Sequence, residues 1–79
     1  MQLDRWMRNN RWHNKQFVKE INKLLEENGH DPVAPTSVSN WRRGIAVPRP
    51  PVVAAIETFT QGAVLYVDHV AAVNERAAA

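Results

Sequence analysis

Residues 14–44, NKQFVKEINKLLEENGHDPVAPTSVSNWRRG, contain two helical patterns separated by a turn. Asn14 is a candidate cap for the first helix, because its side chain can accept a backbone N–H of the first turn. Asn28 and Gly29 supply a left-handed end to this helix, and Pro32 prevents its immediate continuation. Between these signals one apolar stripe recurs at helical spacing, formed by Phe17, Val18, Ile21, Leu24 and Leu25. The pattern predicts a long helix with one buried face.

The second pattern predicts a short helix over residues 35–43. Pro35 suits a first helical position, since its missing N–H costs nothing there, and Gly44 suits the end. A narrow apolar seam is predicted to face the core, formed by Val38, Trp41 and Ile45. At about 100° per residue, the opposite side of the helix carries Thr36, Asn40 and Arg43, with Ser37 and Ser39 beside them.

The rest of the chain predicts further short helices. Residues 2–9 have amphipathic spacing, and Pro51 can open a helix whose buried face carries Val52, Ala55, Ile56 and Phe59. The C-terminal residues are ambiguous: residues 63–67 favour a strand, whereas Asp68 can cap a helical run. We therefore expect one all-α domain over residues 1–79, a small four- to five-helix bundle with a possible short C-terminal strand.

Composition narrows the class of protein. The chain has no cysteine, which excludes disulfides, thiolate metal sites and cysteine nucleophiles. Residues 1–49 carry nine Lys or Arg and five Asp or Glu, whereas the remainder has one Arg and three acidic residues. A basic N-terminal part and an acidic C-terminal part suit a protein that binds a polyanion with one side of its surface. The polar N-terminus and the lack of a long apolar run predict a cytoplasmic protein without a membrane partner.

The polar side of residues 35–43 has the chemistry of a helix that reads DNA bases. The major groove of DNA accepts a helix whose side chains donate to or accept from base edges. Asn40 matches the adenine edge, Arg43 matches guanine or a phosphate, and Thr36 can contact a thymine methyl group. Ser39 is the fourth candidate for a base contact. An alternative for Arg42 and Arg43 is that they balance the helix dipole at its C-terminal end.

Residues 33–44, VAPTSVSNWRRG, resemble the recognition helix of Cro-like, phage-repressor-type helix-turn-helix proteins. Val38, Ser39, Trp41 and Gly44 carry the match. Residues 12–21 are similar to the first helix of that motif, and Gly62, Ala63 and Val64 resemble a segment that follows the fourth helix. The resemblance covers residues 3–64 and implies a lambda-repressor-like fold, with double-stranded DNA as partner.

The same resemblance implies contacts to DNA phosphates. The residues that it implies are Asn14, Lys15, Ser37 and Arg49, and Arg42 is a further candidate for a phosphate contact. Short polar side chains and helix N-termini commonly hold phosphate oxygens. One departure from the family is the insertion of residues 22–31, NKLLEENGHD, which lengthens the first motif helix and widens the turn.

A homodimer is expected on a palindromic operator, because one short helix reads too few base pairs for useful specificity. Its contacts are assigned to the apolar tail within residues 63–79, namely Val64, Leu65, Tyr66, Val67 and Val70. An exposed strand there would pair across the two-fold axis. The chain would then regulate transcription in a bacterial or phage-infected cell by occupying its operator, as repressor or activator.

The tryptophan of the second helix and the histidines have structural assignments. Trp41 is expected in the core rather than as a platform for a base, and His13, His30 and His69 are expected at the surface or as caps. No residue spacing indicates a metal, a cofactor, a small-molecule substrate or an enzyme. The alternative function is a protein-interaction module, such as an antitoxin-like or phage-encoded adaptor, for which the long first helix and the apolar tail would supply a surface.

Overall fold

A computed structural model describes the whole chain, residues 1–79, as five helices without a strand. The helices are α1 (Leu3–Asn9), α2 (Asn14–Glu27), α3 (Pro35–Arg42), α4 (Pro50–Phe59) and α5 (Tyr66–Ala78). The expected all-α bundle is therefore confirmed. Each of the five helices lacks either the length or the apolar character needed to cross a bilayer.

The ends of α1 and α2 share one geometry, in which a residue in the left-handed region turns the chain away. Gly29 has φ +74° after α2, and the N–H of His30 donates to the carbonyl of Leu25 at 2.8 Å. After α1 the same position is held by Arg11, with φ +57°, and the next N–H, of Trp12, reaches back to Met7 at 2.9 Å. Both bonds satisfy carbonyls that the helix end would otherwise leave without a partner.

The core lies between α1, α2, α3 and α4, with α2 in the middle. Phe59 of α4 packs edge-to-face against three aromatic rings, with centroid distances of 6.0 Å to Trp6, 5.2 Å to Trp12 and 5.7 Å to Phe17. Offset and edge-to-face geometry is the favoured one for aromatic pairs. The fully buried residues beneath these rings include Leu3, Met7, Ile21, Leu25, Val38, Val52 and Ile56. The apolar faces predicted for α1, α2 and α4 are thus the ones that are buried.

The connection between α2 and α3 is held by polar contacts to α2. The side-chain amide of Asn22 donates to the carbonyl of Val33 at 3.0 Å and accepts the N–H of Val33 at 2.8 Å. This reciprocal pair fastens the end of the α2–α3 connection to the middle of α2. The wider turn expected from the sequence therefore delivers α3 to a defined place against α2.

The C-terminal tail forms a helix, so the predicted strand over residues 63–67 is wrong. α5 begins at Tyr66, because the carboxylate of Asp68 accepts the N–H of Leu65 at 2.7 Å and fixes the first turn. Asp68 therefore lies inside the helix rather than before it. α5 packs against α3, and an added Cβ on Gly44 would stand 2.4 Å from the carbonyl oxygen of Ala72. Gly44 is thus required both by its φ of +71° and by the close approach of α5.

Three residues lie elsewhere than the sequence predicted. Ile45 is 45% exposed, because the helix ends at Arg42 and the left-handed Gly44 turns the chain before Ile45 can join the seam. His69, expected at the surface, is 2% exposed. Val64, expected in a dimer contact, is 0% exposed and belongs to the core of its own chain.

Candidate nucleic-acid interface

The two sides of α3 differ as the sequence predicted, apart from Ile45. Val38 and Trp41 are buried and anchor the helix in the core. Thr36 and Arg43 are exposed on the opposite side, and Ser39 and Asn40 are half-buried beside them. We call these four residues, Thr36, Ser39, Asn40 and Arg43, the reading face. They form one polar surface on a helix that the core holds from behind.

A cluster of three polar side chains joins α3 to α1 and α2. The guanidinium of Arg42 donates through Nε to Asp4 Oδ1 at 2.8 Å and through Nη1 to Asn14 Oδ1 at 2.7 Å. The side chain of Arg42 is 20% exposed, so the ion pair is shielded on most sides. We call Asp4, Asn14 and Arg42 the Arg42 cluster. Its two charge-assisted bonds hold α3 in register with both neighbouring helices.

No local pattern in the sequence indicates the Arg42 cluster. Asp4 and Arg42 lie 38 residues apart, and local periodicity carries no signal for a pair at that separation. Arg42 was expected to contact a phosphate, yet two of its donors are committed to the protein. The geometry gives it a positioning role instead, and Asn14 shares that role through its side-chain oxygen.

The remaining phosphate candidates lie on three different elements, and Arg49 lines a hollow at the C-terminal end of α2 together with Gly29 and Asp31. Lys15 is exposed in the first turn of α2, Ser37 is half-buried in α3, and Arg49 is exposed immediately before α4. The N–H groups of Asn14 and Lys15 have no acceptor within the chain, as is usual for a first helical turn. The structure thus leaves donors free on each of these elements.

The C-terminal end of α3 borders α5. The side chain of Arg76 donates to the carbonyl of Arg43 at 3.5 Å, and Gln2 donates to Glu75 at 2.8 Å. An open hollow of about 380 Å³ lies at this border, and its lining includes Gln2, Arg42, Arg43, Glu75 and Arg76. The side chain of Arg43 stays exposed beside it, so α5 does not cover the reading face.

The start of α5 exposes three consecutive apolar residues. Leu65, Tyr66 and Val67 are all exposed, Val67 to 64%, and we call them the apolar patch. Val70 is half-buried one turn further along. Of the five predicted dimer contacts, Val64 is excluded by its burial, and the other four retain exposed surface.

His69 is buried in α5 with no hydrogen-bond partner for either ring nitrogen. Burial lowers the pKa of His69 below its ordinary value of 6.5, and the carboxylate of Asp68 opposes this in part. That carboxylate in turn pairs with the N-terminal ammonium of Met1 at 3.1 Å. The imidazole is therefore held neutral at pH 7.

Comparison with known proteins covers the first four helices. A family model described as the SP15 N-terminal domain matches residues 3–62, which span α1–α4 and stop before α5. No curated protein and no solved structure matches the chain. Since the match extends over more than half of its residues, the chain belongs to the SP15 N-terminal domain family.

Proposed function

We propose that the chain is a transcriptional regulator that binds double-stranded DNA in a sequence-specific manner. In this proposal α2 and α3 are the two helices of a Cro-like helix-turn-helix motif, and α3 enters the major groove. One observation carries it: Val38 and Trp41 hold α3 from the core side, while on the opposite side Thr36 and Arg43 are exposed and Ser39 and Asn40 are half-buried. A helix anchored in this way presents its polar side chains at fixed positions.

The chemistry of the reading face suits base edges. Asn40 offers a donor and an acceptor that match adenine, and Arg43 offers paired donors that match guanine O6 and N7. Thr36 and Ser39 are short enough to let α3 approach the bases, and their hydroxyl groups bond to either partner. An α-helix with its side chains is about 10–12 Å across, which matches the roughly 12 Å width of the major groove.

Contacts to phosphates would orient the protein without reading sequence. Lys15, Ser37 and Arg49 supply free donors, and the side-chain nitrogen of Asn14 is available although its oxygen is bound to Arg42. Such contacts supply affinity that falls as salt is added. Arg42 contributes by holding α3 rather than by touching DNA.

The regulator would bind a palindromic operator as a homodimer. Two copies placed about one helical turn apart, roughly 34 Å, would present one reading face to each half-site. The apolar patch supports this assignment, because contiguous exposed apolar surface is typical of protein–protein contacts. The contact would be made between helices, with Leu65, Tyr66, Val67 and Val70 as its residues. Sedimentation of the chain with and without DNA tests the dimer directly.

Selection of bound duplexes from a random pool tests sequence-specific binding. We expect an enriched motif with two-fold symmetry, and Asn40→Ala or Arg43→Ala to lose about 1 to 3 kcal/mol at particular base pairs. Lys23→Ala is the matched control, because Lys23 pairs with Glu20 and lies about 13 Å along α2 from Asn14. Equal losses for Asn40→Ala on the selected duplex and on random duplex would contradict base reading.

The apolar patch also favours a second candidate, a module that binds another protein. The dependence of binding on salt separates the two functions. Neutralised phosphates give a steep loss of affinity for duplex DNA as salt rises, whereas an apolar protein contact changes little. A chain that binds no duplex at low salt would favour the second candidate.

A further inference from the structure

A hollow lined by three arginines lies where α1, the α1–α2 turn and α3 meet. Its volume is about 440 Å³, and its lining consists of Met7, Arg8, Arg11, Trp12, His13 and Arg42. We call it the arginine hollow. Arg8 comes from α1, Arg11 from the turn and Arg42 from α3, so the fold gathers cations that are distant in sequence.

The charges around the arginine hollow do not cancel. Asp4 is the acidic residue that pairs there, and it is shared by Arg8 Nε at 3.0 Å and Arg42 Nε at 2.8 Å. One carboxylate thus offsets one of two guanidinium groups. Arg11 is exposed and forms no ion pair. The hollow therefore keeps a positive charge that solvent alone compensates.

Arg11 occupies a backbone conformation that glycine adopts more readily than arginine. Its φ is +57°, in the left-handed region that ends α1, where a side chain costs about 1 kcal/mol. The glycines after α2 and α3 occupy the corresponding positions of those helices. After α4 the corresponding position is held by Gln61, with φ +55°, so this turn tolerates a side chain but does not itself require an arginine.

The place of the arginine hollow relates it to α3. Arg42 belongs both to the lining of the hollow and to α3, one residue before Arg43 of the reading face. A helix seated in the major groove has a phosphate backbone along each side. The hollow therefore lies at the edge of α3 where one of these backbones would pass.

We infer that the arginine hollow anchors one backbone phosphate of the bound duplex, with Arg8 and Arg11 as the contacting residues. This inference rests on the proposed function and adds two residues to its phosphate contacts. Arg42 takes the role of a positioning residue, because its bonds to Asp4 and Asn14 keep the walls of the hollow together. Guanidinium groups suit this role, since their planar forks match phosphate oxygens.

Arg11→Gly is the sharpest test, because glycine fits φ +57° and the variant should fold at least as stably as the natural chain. We expect its affinity for the selected duplex and for random duplex to fall by the same factor, about tenfold. The slope of log affinity against log salt should fall by about 1. Arg8→Ala should act in the same direction.

Arg5→Ala is the matched control, since Arg5 is exposed on α1 and carries the same charge outside the hollow. We expect a smaller loss from it, and a salt slope that it changes less. If Arg11→Gly and Arg8→Ala only equal Arg5→Ala while the natural chain binds DNA, the anchor is overturned and the proposed function stands. If the natural chain binds no duplex, the proposed function itself fails.

A final measurement distinguishes binding of a duplex phosphate from binding of a free phosphate ion. Inorganic phosphate is titrated into the full chain while the indole N–H resonance of Trp12, which lines the hollow, is followed by NMR. The anchor predicts that duplex shifts this resonance and that inorganic phosphate at equal ionic strength does not saturate a site. Saturation by inorganic phosphate, with duplex affinity unchanged in Arg11→Gly, would assign the hollow to a free anion and overturn the anchor.

Discussion

Arg42 and His69 both carry polar groups that are largely withdrawn from solvent, and the two groups differ in their hydrogen-bond partners. Arg42 has an ion pair and a second hydrogen bond, at 2.8 and 2.7 Å, and both partners belong to other helices. His69 is buried more deeply and has no partner at either ring nitrogen. The first group joins α3 to α1 and α2, whereas the second lies in α5.

The difference shows which helices are held in position by directional polar contacts. The energy of a hydrogen-bonded ion pair depends strongly on geometry, so the pair stabilises one arrangement of the helices that carry it. An imidazole without a hydrogen-bond partner costs free energy wherever it is buried. The Arg42 cluster therefore defines the position of the reading face. The position of α5 instead depends on the close approach of Ala72 to Gly44, and its buried His69 adds no directional contact.

The largest effect is expected for Gly44→Ala, which tests the seat of α5. The new methyl group would meet the carbonyl oxygen of Ala72 at 2.4 Å, at a φ of +71°. We expect a loss of roughly 2 to 5 kcal/mol in the free energy of unfolding, measured by urea denaturation. Gly29→Ala is the matched control, because its φ is +74° and its side chain would meet open space, so about 1 kcal/mol is expected. Equal losses would mean that the contact with Ala72 is unimportant.

The second-largest effect is expected for Arg42→Ala, which tests the Arg42 cluster. Arg42→Ala should cost about 1 to 3 kcal/mol of stability, because Asp4 and Asn14 lose a partner in a shielded place. It should also weaken binding to every duplex tested, since the reading face is no longer held. Arg8→Ala removes the exposed partner of the same carboxylate, 75% accessible, and should cost at most about 0.5 kcal/mol. A double-mutant cycle with Asp4→Ala measures the coupling, and a coupling near zero would contradict the cluster.

The third effect is the response of His69 to acid. Because burial lowers the pKa of His69 in the folded chain, the unfolded chain takes up a proton at a higher pH than the folded chain does. The contribution to stability is thus intact above about pH 6.5 and is lost as the pH falls from there toward the lowered pKa. Thermal denaturation at pH 7.5 and at pH 5.5 should show this loss.

His69→Leu should raise the stability at pH 7.5 by about 1 kcal/mol, because it removes two unsatisfied nitrogen atoms, and should reduce the loss at pH 5.5. His30→Gln, at an exposed histidine, is the control and should leave that loss in place. An undiminished loss in His69→Leu would show that other groups govern the response to acid. Asp68 and the N-terminal ammonium of Met1 are the charged groups nearest in the chain of contacts.

The smallest effect is expected for Asp68→Ala at the start of α5. The variant removes the acceptor for the N–H of Leu65 and the partner of the N-terminal ammonium. We expect a loss of about 0.5 to 1 kcal/mol by urea denaturation. Asp68→Asn should recover part of it, because an amide oxygen still accepts the N–H of Leu65. No recovery would assign the effect to the charge alone.

Local signals in the sequence were enough for most of the fold and for one side of the candidate interface. The apolar spacing of α2, the proline that opens α3 and the glycines that end α2 and α3 act within a few residues of each other. The burial of Val38 and Trp41 and the exposure of Thr36 and Arg43 follow from the same short-range geometry. Such features are encoded locally, because helix periodicity and end signals depend on neighbours along the chain.

Tertiary structure decided the features that depend on distant residues. The partners of Arg42 lie 38 and 28 residues away, the arginine hollow draws on three elements, and Gly44 meets α5. The same holds for the burial of Val64 and His69, which a β-prone tail and an isolated histidine did not predict. Each of these contacts arises when helices pack, and packing is set by the shapes and charges of whole faces rather than by the order of neighbouring residues.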